Sequence, residues 1–176
     1  FVFVGNFQPA DLEPLLVRYL GSLPSRGRVE TWRDVGMDPP TGVVEREVRM
    51  GLEPQSRVQI VFSGTTDWSL ASRLQLEAMK QVLDIALREN VREEAGGSYA
   101  IGVDAVLNRY PDEEFYVYVG FGCAPDQVEA LTDLVFEQIR KLRDEGPPRK
   151  DVDKVTEILR REHERNLRTN DSGSGF

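Results

Sequence analysis

Hydrophobic and polar positions along the chain switch between two periods, and the switches divide it into elements. Phe1 to Gly5 is a continuous apolar run closed by Gly5-Asn6 and is expected to be a short buried strand. Pro9-Ala10-Asp11 opens a helix in which Leu12, Leu15, Leu16, Tyr19 and Leu20 recur at helical spacing, and Gly21 followed by Pro24 stops it. Residues 24 to 42 hold Pro24, Pro39, Pro40 and three glycines without a sustained period, which predicts a long surface connector. Val43 to Met50 alternates, with Val44, Val48 and Met50 on one face and Glu45, Glu47 and Arg49 on the other. Arg57 to Phe62 alternates again, with Val58, Ile60 and Phe62 on one face. The short link between these two predicts an antiparallel pair.

Asp67 is a candidate N-cap for a long helix, Trp68 to about Arg92, with Leu74, Met79, Val82, Leu83 and Ala86 assigned to its apolar stripe. Gly96-Gly97 ends that helix. Ser98 to Val106 is expected to be a strand with Tyr99, Ile101, Val103 and Ala105 on one face. Pro111-Asp112 turns the chain into another strand, with Phe115, Val117, Val119 and Phe121 on one face and Tyr116 and Tyr118 on the other. Pro125-Asp126 opens a helix whose stripe is Val128, Leu131, Leu134, Val135, Ile139 and Leu142. Gly146-Pro147-Pro148 breaks it, and a last helix runs from about Arg149 to Leu167 with Val152, Val155, Ile158 and Leu159 inward. This order predicts an α+β fold: two layers, an antiparallel or mixed β-sheet covered on one face by helices.

Composition narrows the function classes. The chain has 176 residues, 40% of them hydrophobic, enough for a core at this length. No run approaches the roughly 20 apolar residues that span a bilayer, so no membrane span is expected. The start, Phe1-Val2-Phe3-Val4, has neither a basic head nor a cleavage site. An apolar strand at residue 1 is expected of a fragment of a longer parent, with 1–170 as one module and 171–176 as a frayed tail. The formal charge is -8, and no basic stripe with interleaved aromatics occurs, so nucleic acid is not an expected partner. One cysteine, Cys123, allows no intrachain disulfide, and one histidine, His163, cannot by itself make a zinc site with two or more His ligands.

Short motifs are mostly explained without chemistry. Gly96-Gly97 lacks the spacing and lysine of a phosphate loop and suits a tight helix-to-strand turn. Glu93-Glu94 and Asp112-Glu113-Glu114 lack the alternating oxygen ligands of a calcium loop and fit solvated charge. Arg160-Arg161-Glu162-His163-Glu164-Arg165 does not match His-x-x-Glu-His in either direction and fits a salt-bridged helix face. Arg92-Glu93-Glu94-Ala95-Gly96-Gly97-Ser98-Tyr99 is different. It joins a helix end to a strand start across a turn tight enough for two polar tips to converge, and an Arg and a Tyr pointing together can donate hydrogen bonds to a carbonyl oxygen or the oxyanion it becomes.

Several of these stretches together resemble the carboxyl-side, non-zinc-binding module of pitrilysin/insulinase-type zinc peptidases. They are Phe3-Val4-Gly5-Asn6-Phe7, Tyr19-Leu20-Gly21-Ser22-Leu23-Pro24, the Val58 to Phe62 strand before a long helix, Arg92-Glu93-Glu94 through Gly97-Ser98-Tyr99, and Gly146-Pro147-Pro148 before a charged helix. The likeness runs in order across nearly the whole chain and is closest in flavour to the last module of long bacterial zinc proteases. It implies a LuxS/pitrilysin-like metallopeptidase fold. It also implies that a separate amino-terminal module, in the same polypeptide or a partner subunit, holds zinc and the general base.

Carried over residue by residue, Tyr99 donates to the developing oxyanion, Arg92 grips substrate backbone carbonyls, and Gly96 and Gly97 shape the turn between them. No metal ligand is expected in this chain, and the chain alone is expected to be inactive. Peptides are the implied substrates, a bacterial periplasm the favoured compartment, and exposed partner surfaces would allow a homodimer of the fragment. Two alternatives stay open: a catalytically dead scaffold or recognition subunit of the same family, and an unrelated α+β domain for a small ligand.

Overall fold

The strand Glu114–Cys123 (β3) is built on strict alternation, and everything else in the sheet is set against it. A computed structural model describes the chain apart from Ser25, Arg26, Arg28, Trp32, Asp34, Met37 and residues 95–99 and 169–176, and gives no side-chain placement for Arg92, Glu93 and Glu94. The described elements are α1 (Pro9–Tyr19), β1 (Ser56–Thr65), α2 (Leu70–Glu94), β2 (Ile101–Asn108), β3, a 3-10 turn at Pro125–Gln127, α3 (Val128–Glu145) and α4 (Arg149–Asn166). The chain divides into two compact units, Phe1–Arg33 with Arg161–Phe176, and Asp34–Arg160. In the first, α1 opens on Pro9 and closes where the Leu20 and Gly21 N–H groups return to the Leu16 carbonyl. Leu12, Leu16 and Leu20 are its half-buried stripe, while Leu15 and Tyr19 are exposed.

The larger unit carries the sheet. β3 lies in the centre and pairs antiparallel with both β1 and β2. β1 and β2 therefore run parallel to each other on either side of it, joined by α2, which is a split β-α-β arrangement. The continuous register stacks three inward rows: Val58–Phe121–Ile101, Ile60–Val119–Val103 and Phe62–Val117–Ala105. Against them pack Leu83, Leu87 and Val91 of α2 and Leu131, Leu134 and Val135 of α3, with Leu87, Val119 and Val135 fully buried. Spacings of three, four and eight residues put each set on one helical face. Phe62 and Phe136 meet edge to face, centroids 6.1 Å apart, tying β1 to α3. The fold class is thus as the sequence predicts: an antiparallel sheet with helices over one face.

Four expectations need correction. Phe1–Gly5 is not a strand: Phe1 and Val2 are almost fully exposed and have no ladder partner among the described residues. Val43–Met50 forms no strand and has no ladder partner among the described residues, with Val43 92% and Met50 88% exposed. Its alternation is real, since Arg49 pairs with Glu47 two residues away at 2.7 Å. Alternation describes a face, however, while a strand also needs a neighbour's backbone, and the described ladder of β1 is with β3. The α2 stripe holds at Leu83, which is buried, with Val82 and Ala86 half-buried, but Leu74 and Met79 are exposed and the buried face continues through Leu87 and Val91 instead. Nine residues separate Leu74 from Leu83, about half a turn out of phase at 3.6 residues per turn. The N-cap is Ser69 rather than Asp67. The Ser69 hydroxyl accepts from the Ser72 N–H at 2.9 Å, satisfying a first-turn donor that has no carbonyl partner.

The remaining boundaries follow local chemistry. Gly146 takes φ +76° after α3 and its N–H returns to the Leu142 carbonyl at 3.1 Å, a conformation that costs glycine no Cβ clash. Pro147 and Pro148 then prevent continuation, and α4 restarts with Val155 buried and Val152, Ile158 and Leu159 half-buried. Among the described residues no helix is long and apolar enough to cross a membrane.

Candidate functional site

The segment that carries the candidate chemistry leaves α2 and enters β2, and both of its ends are anchored in one core. Leu87 and Val91 on the helix side and Ile101 on the strand side belong to the same buried cluster. Two polar contacts reinforce the anchor. Asp84 accepts a hydrogen bond from the Val103 N–H at 3.3 Å and pairs with Arg88 at 2.8 Å, so a helix carboxylate covers a backbone donor of the edge strand β2. Asn90 donates to Gln138 of α3 at 3.1 Å and to the Ala86 carbonyl at 2.7 Å, and Gln138 is itself buried.

Arg92 lies in the last turn of α2, where unpaired carbonyls and the helix dipole favour a cation. Its side chain is not described. Gly96, Gly97 and Tyr99 lie outside the described residues. The meeting of Arg92 with Tyr99 is therefore neither made nor excluded by the geometry, whereas the two anchors on either side of it are defined.

The other face of the sheet is covered by no described helix, a feature that the hydrophobic pattern does not reveal. Its rows are Arg57–Gly122, Gln59–Gly120–Gly102, Val61–Tyr118–Asp104 and Ser63–Tyr116–Val106. Tyr116 and Tyr118 stack at 6.2 Å with rings 12° from parallel. Beyond them the three glycines floor an open depression of about 850 Å³, bordered by Arg57, Gln59, Asp104, Tyr118 and Ala100, the residue that follows Tyr99. The signal was present in the sequence as Gly120 and Gly122 at period two in a strand otherwise rich in large side chains.

Electrostatics around the face are mild. The Tyr116 hydroxyl donates to Glu114 at 2.8 Å, and that bond, with smaller contributions from burial and negative neighbours, holds its pKa above the ordinary phenol value. On the covered side, burial first and Asp126 second push the Cys123 thiol up, which keeps it protonated at neutral pH. The acidic run at the β2–β3 turn has a structural job: Glu113 accepts from the Trp68 N–H at 3.0 Å and its carbonyl from the Thr66 N–H. The Arg109 guanidinium lies 4.7 Å over the Trp68 ring, closing the same junction.

Among the described residues no three His, Cys, Asp or Glu side chains converge. With a single histidine, His163, in the whole chain, the donor set does not suit a catalytic zinc, and no step is derived through one.

The model of the peptidase M16 inactive domain matches residues 1–159. The chain belongs to that family. Among curated relatives, the zinc protease PQQL-like of Arabidopsis thaliana is 27% identical over 183 residues, covering 96% of this chain and 19% of the relative. The probable zinc protease PqqL of Escherichia coli K12 is 25% identical, covering 92% of this chain and 17% of the relative. The chain therefore spans about a fifth of the length of the relatives it matches. In fold it is similar to the crystal structure of the periplasmic protease PqqL from Escherichia coli, with a TM-score of 0.79, 23% identity, and coverage of 94% of this chain and 18% of that one. The ferredoxin protease FusC, solved as a mutant with Arabidopsis ferredoxin, gives a TM-score of 0.66 at 19% identity, covering 93% and 18%.

Proposed function

We propose that this M16 module, taken as one unit over residues 1–170, is the substrate-binding part of a zinc-dependent metalloendopeptidase. In this reading zinc and the general base belong to another module of the same protein or to a partner subunit. This chain closes over the peptide. Tyr99 donates its O–H to the oxygen of the reacting carbonyl as negative charge develops there, and Arg92 binds neighbouring backbone carbonyls of the substrate. Gly96 and Gly97 let the chain turn sharply between the two. The observation that carries the reading is the family match across residues 1–159, and the core anchors at Val91 and Ile101 supply the rigid ends such a site needs. Relatives named as zinc proteases support the activity, and the periplasmic relative supports that compartment for this protein. A second copy of the chain is a further proposed partner through surfaces the missing module would cover.

The test is peptide cleavage by the full-length protein that carries this chain, with and without Tyr99→Phe, at matched zinc content. Turnover is expected to fall by about 100-fold or more with KM nearly kept, the scale of one lost oxyanion donor. Equal turnover would remove Tyr99 from the mechanism. No cleavage by the folded, zinc-loaded protein would favour a scaffold or recognition subunit instead.

A further inference from the structure

Glycine inside a strand weakens it by roughly 0.5–1 kcal/mol against alanine, so clustered strand glycines call for a reason. Gly64 has one in the packing: a Cβ there would stand 2.9 Å from the Phe115 ring. Gly102, Gly120 and Gly122 have none. A Cβ on Gly102 would meet nothing within 4 Å, and on Gly120 or Gly122 only a carbonyl at 3.9 or 3.8 Å. None of the three takes a positive φ, and the register through them is continuous, so they mark no bulge. What remains of the usual reasons for glycine in a strand is close approach of another backbone or a ligand.

The chemistry around them says which. Gly102 and Gly120 are cross-strand neighbours and Gly122 lies about 7 Å further along β3 at roughly 3.4 Å per residue. The border is polar. Among the described residues, the Arg57 guanidinium, the Gln59 amide and the Tyr118 hydroxyl have no hydrogen-bond or ion-pair partner, so three donors face the trough uncommitted. Obligate interfaces between subunits are the more apolar kind, and packing against another module is read out separately by the test below. A smooth floor with three donors and the Asp104 carboxylate on its rim matches an extended polypeptide, whose backbone is thin and carries both carbonyls and N–H groups. The trough also begins at Ala100, directly after the proposed Arg92 to Tyr99 segment.

We propose that this glycine-floored trough binds an extended stretch of the polypeptide substrate, away from the bond that is cut, with Arg57, Gln59 and Tyr118 donating to its carbonyls. The inference rests on the reading of the chain as a peptidase substrate module and names a new contact surface within it.

The experiment uses the full-length protein with Gly102→Val and Gly120→Val, singly and together. β-Branched side chains suit strands, so the thermal midpoint is expected to hold or rise. Binding of fluorescein-labelled, dephosphorylated β-casein is read by anisotropy at low temperature, where turnover is slow, and cleavage is followed separately. Affinity is expected to fall by about tenfold in the double variant, on the scale of one or two lost hydrogen bonds. Unchanged affinity in folded variants overturns the proposal, as does absence of casein binding by the unsubstituted protein. A lowered thermal midpoint with unchanged affinity also overturns it and assigns the trough to packing against another module. If the valine variants do not fold, Arg57→Ala with Gln59→Ala, both on exposed side chains, is read in the same way. Casein binding that depends on the trough in a protein that cleaves nothing would keep this proposal and sink the peptidase reading; cleavage with trough-independent binding would do the reverse.

Discussion

The two faces of one three-stranded sheet follow different rules. On the helix-covered face β3 presents Val117, Val119, Phe121 and Cys123, all buried, and the last three share one core cluster with side chains of β2, α2 and α3. On the uncovered face the same strand presents Tyr116, Tyr118, Gly120 and Gly122, which step abruptly from the largest side chains to none. Where helices cover the sheet, close packing dictates the size of every residue. Where no described helix covers it, packing demands less, and a composition that costs strand stability reports a different demand.

The contrast can be broken or sharpened by substitution. The largest effect belongs to the covered side: Leu87→Ala, at a fully buried α2 position, is expected to cost about 2–5 kcal/mol, measured as a shift of the urea midpoint. An effect below that range would mean the helix layer collapses easily around the gap. Next comes the helix that guards the sheet edge. Asp84→Ala leaves the Val103 N–H without its carboxylate and is expected to cost about 1–2 kcal/mol. Asp84→Asn, which keeps an acceptor, should recover part of that, and amide exchange at Val103 should quicken only in the alanine variant. The smallest effect lies on the uncovered face. The raised Tyr116 pKa means the folded state holds that proton more tightly. Its contribution is present below the ordinary phenol pKa and is lost as pH rises through the folded value. Tyr116→Phe should therefore lower stability slightly at neutral pH, where that contribution is present, and flatten the alkaline limb of the stability curve, and ultraviolet difference titration should show one fewer phenol titrating above the ordinary value.

Residues whose fate depends on near neighbours were readable in the sequence. Phe115 to Phe121 alternates and folds as β3, and Gly146-Pro147-Pro148 separates α3 from α4 because positive φ and two missing N–H groups act locally. Val43 to Met50 shows what is not readable. Its alternation equals that of Arg57 to Phe62, yet pairing needs a partner that the local pattern does not name. Asp67 and Ser69 are both plausible caps by composition, and only the hydroxyl's reach to Ser72 decides between them. In the candidate site, a helix ending near Arg92 and a strand from Ser98 were legible as a junction; α2 runs to Glu94, the described strand begins at Ile101, and buried anchors lie on both sides. The glycine trough was missed because a hydrophobic pattern assigns outward positions to solvent and asks nothing more of them.

The Asn90–Gln138 contact has a mechanical consequence. Sliding α3 by one turn along α2, about 5.4 Å, would leave the buried Gln138 oxygen without its donor, at roughly 1–3 kcal/mol, while Asn90 would keep its bond to the Ala86 carbonyl. The pair therefore works as a detent, holding the two helices in one notch. The carboxyl end of α2, where Arg92 sits, is thus keyed to α3 by this hydrogen bond as well as by the apolar core the two helices share.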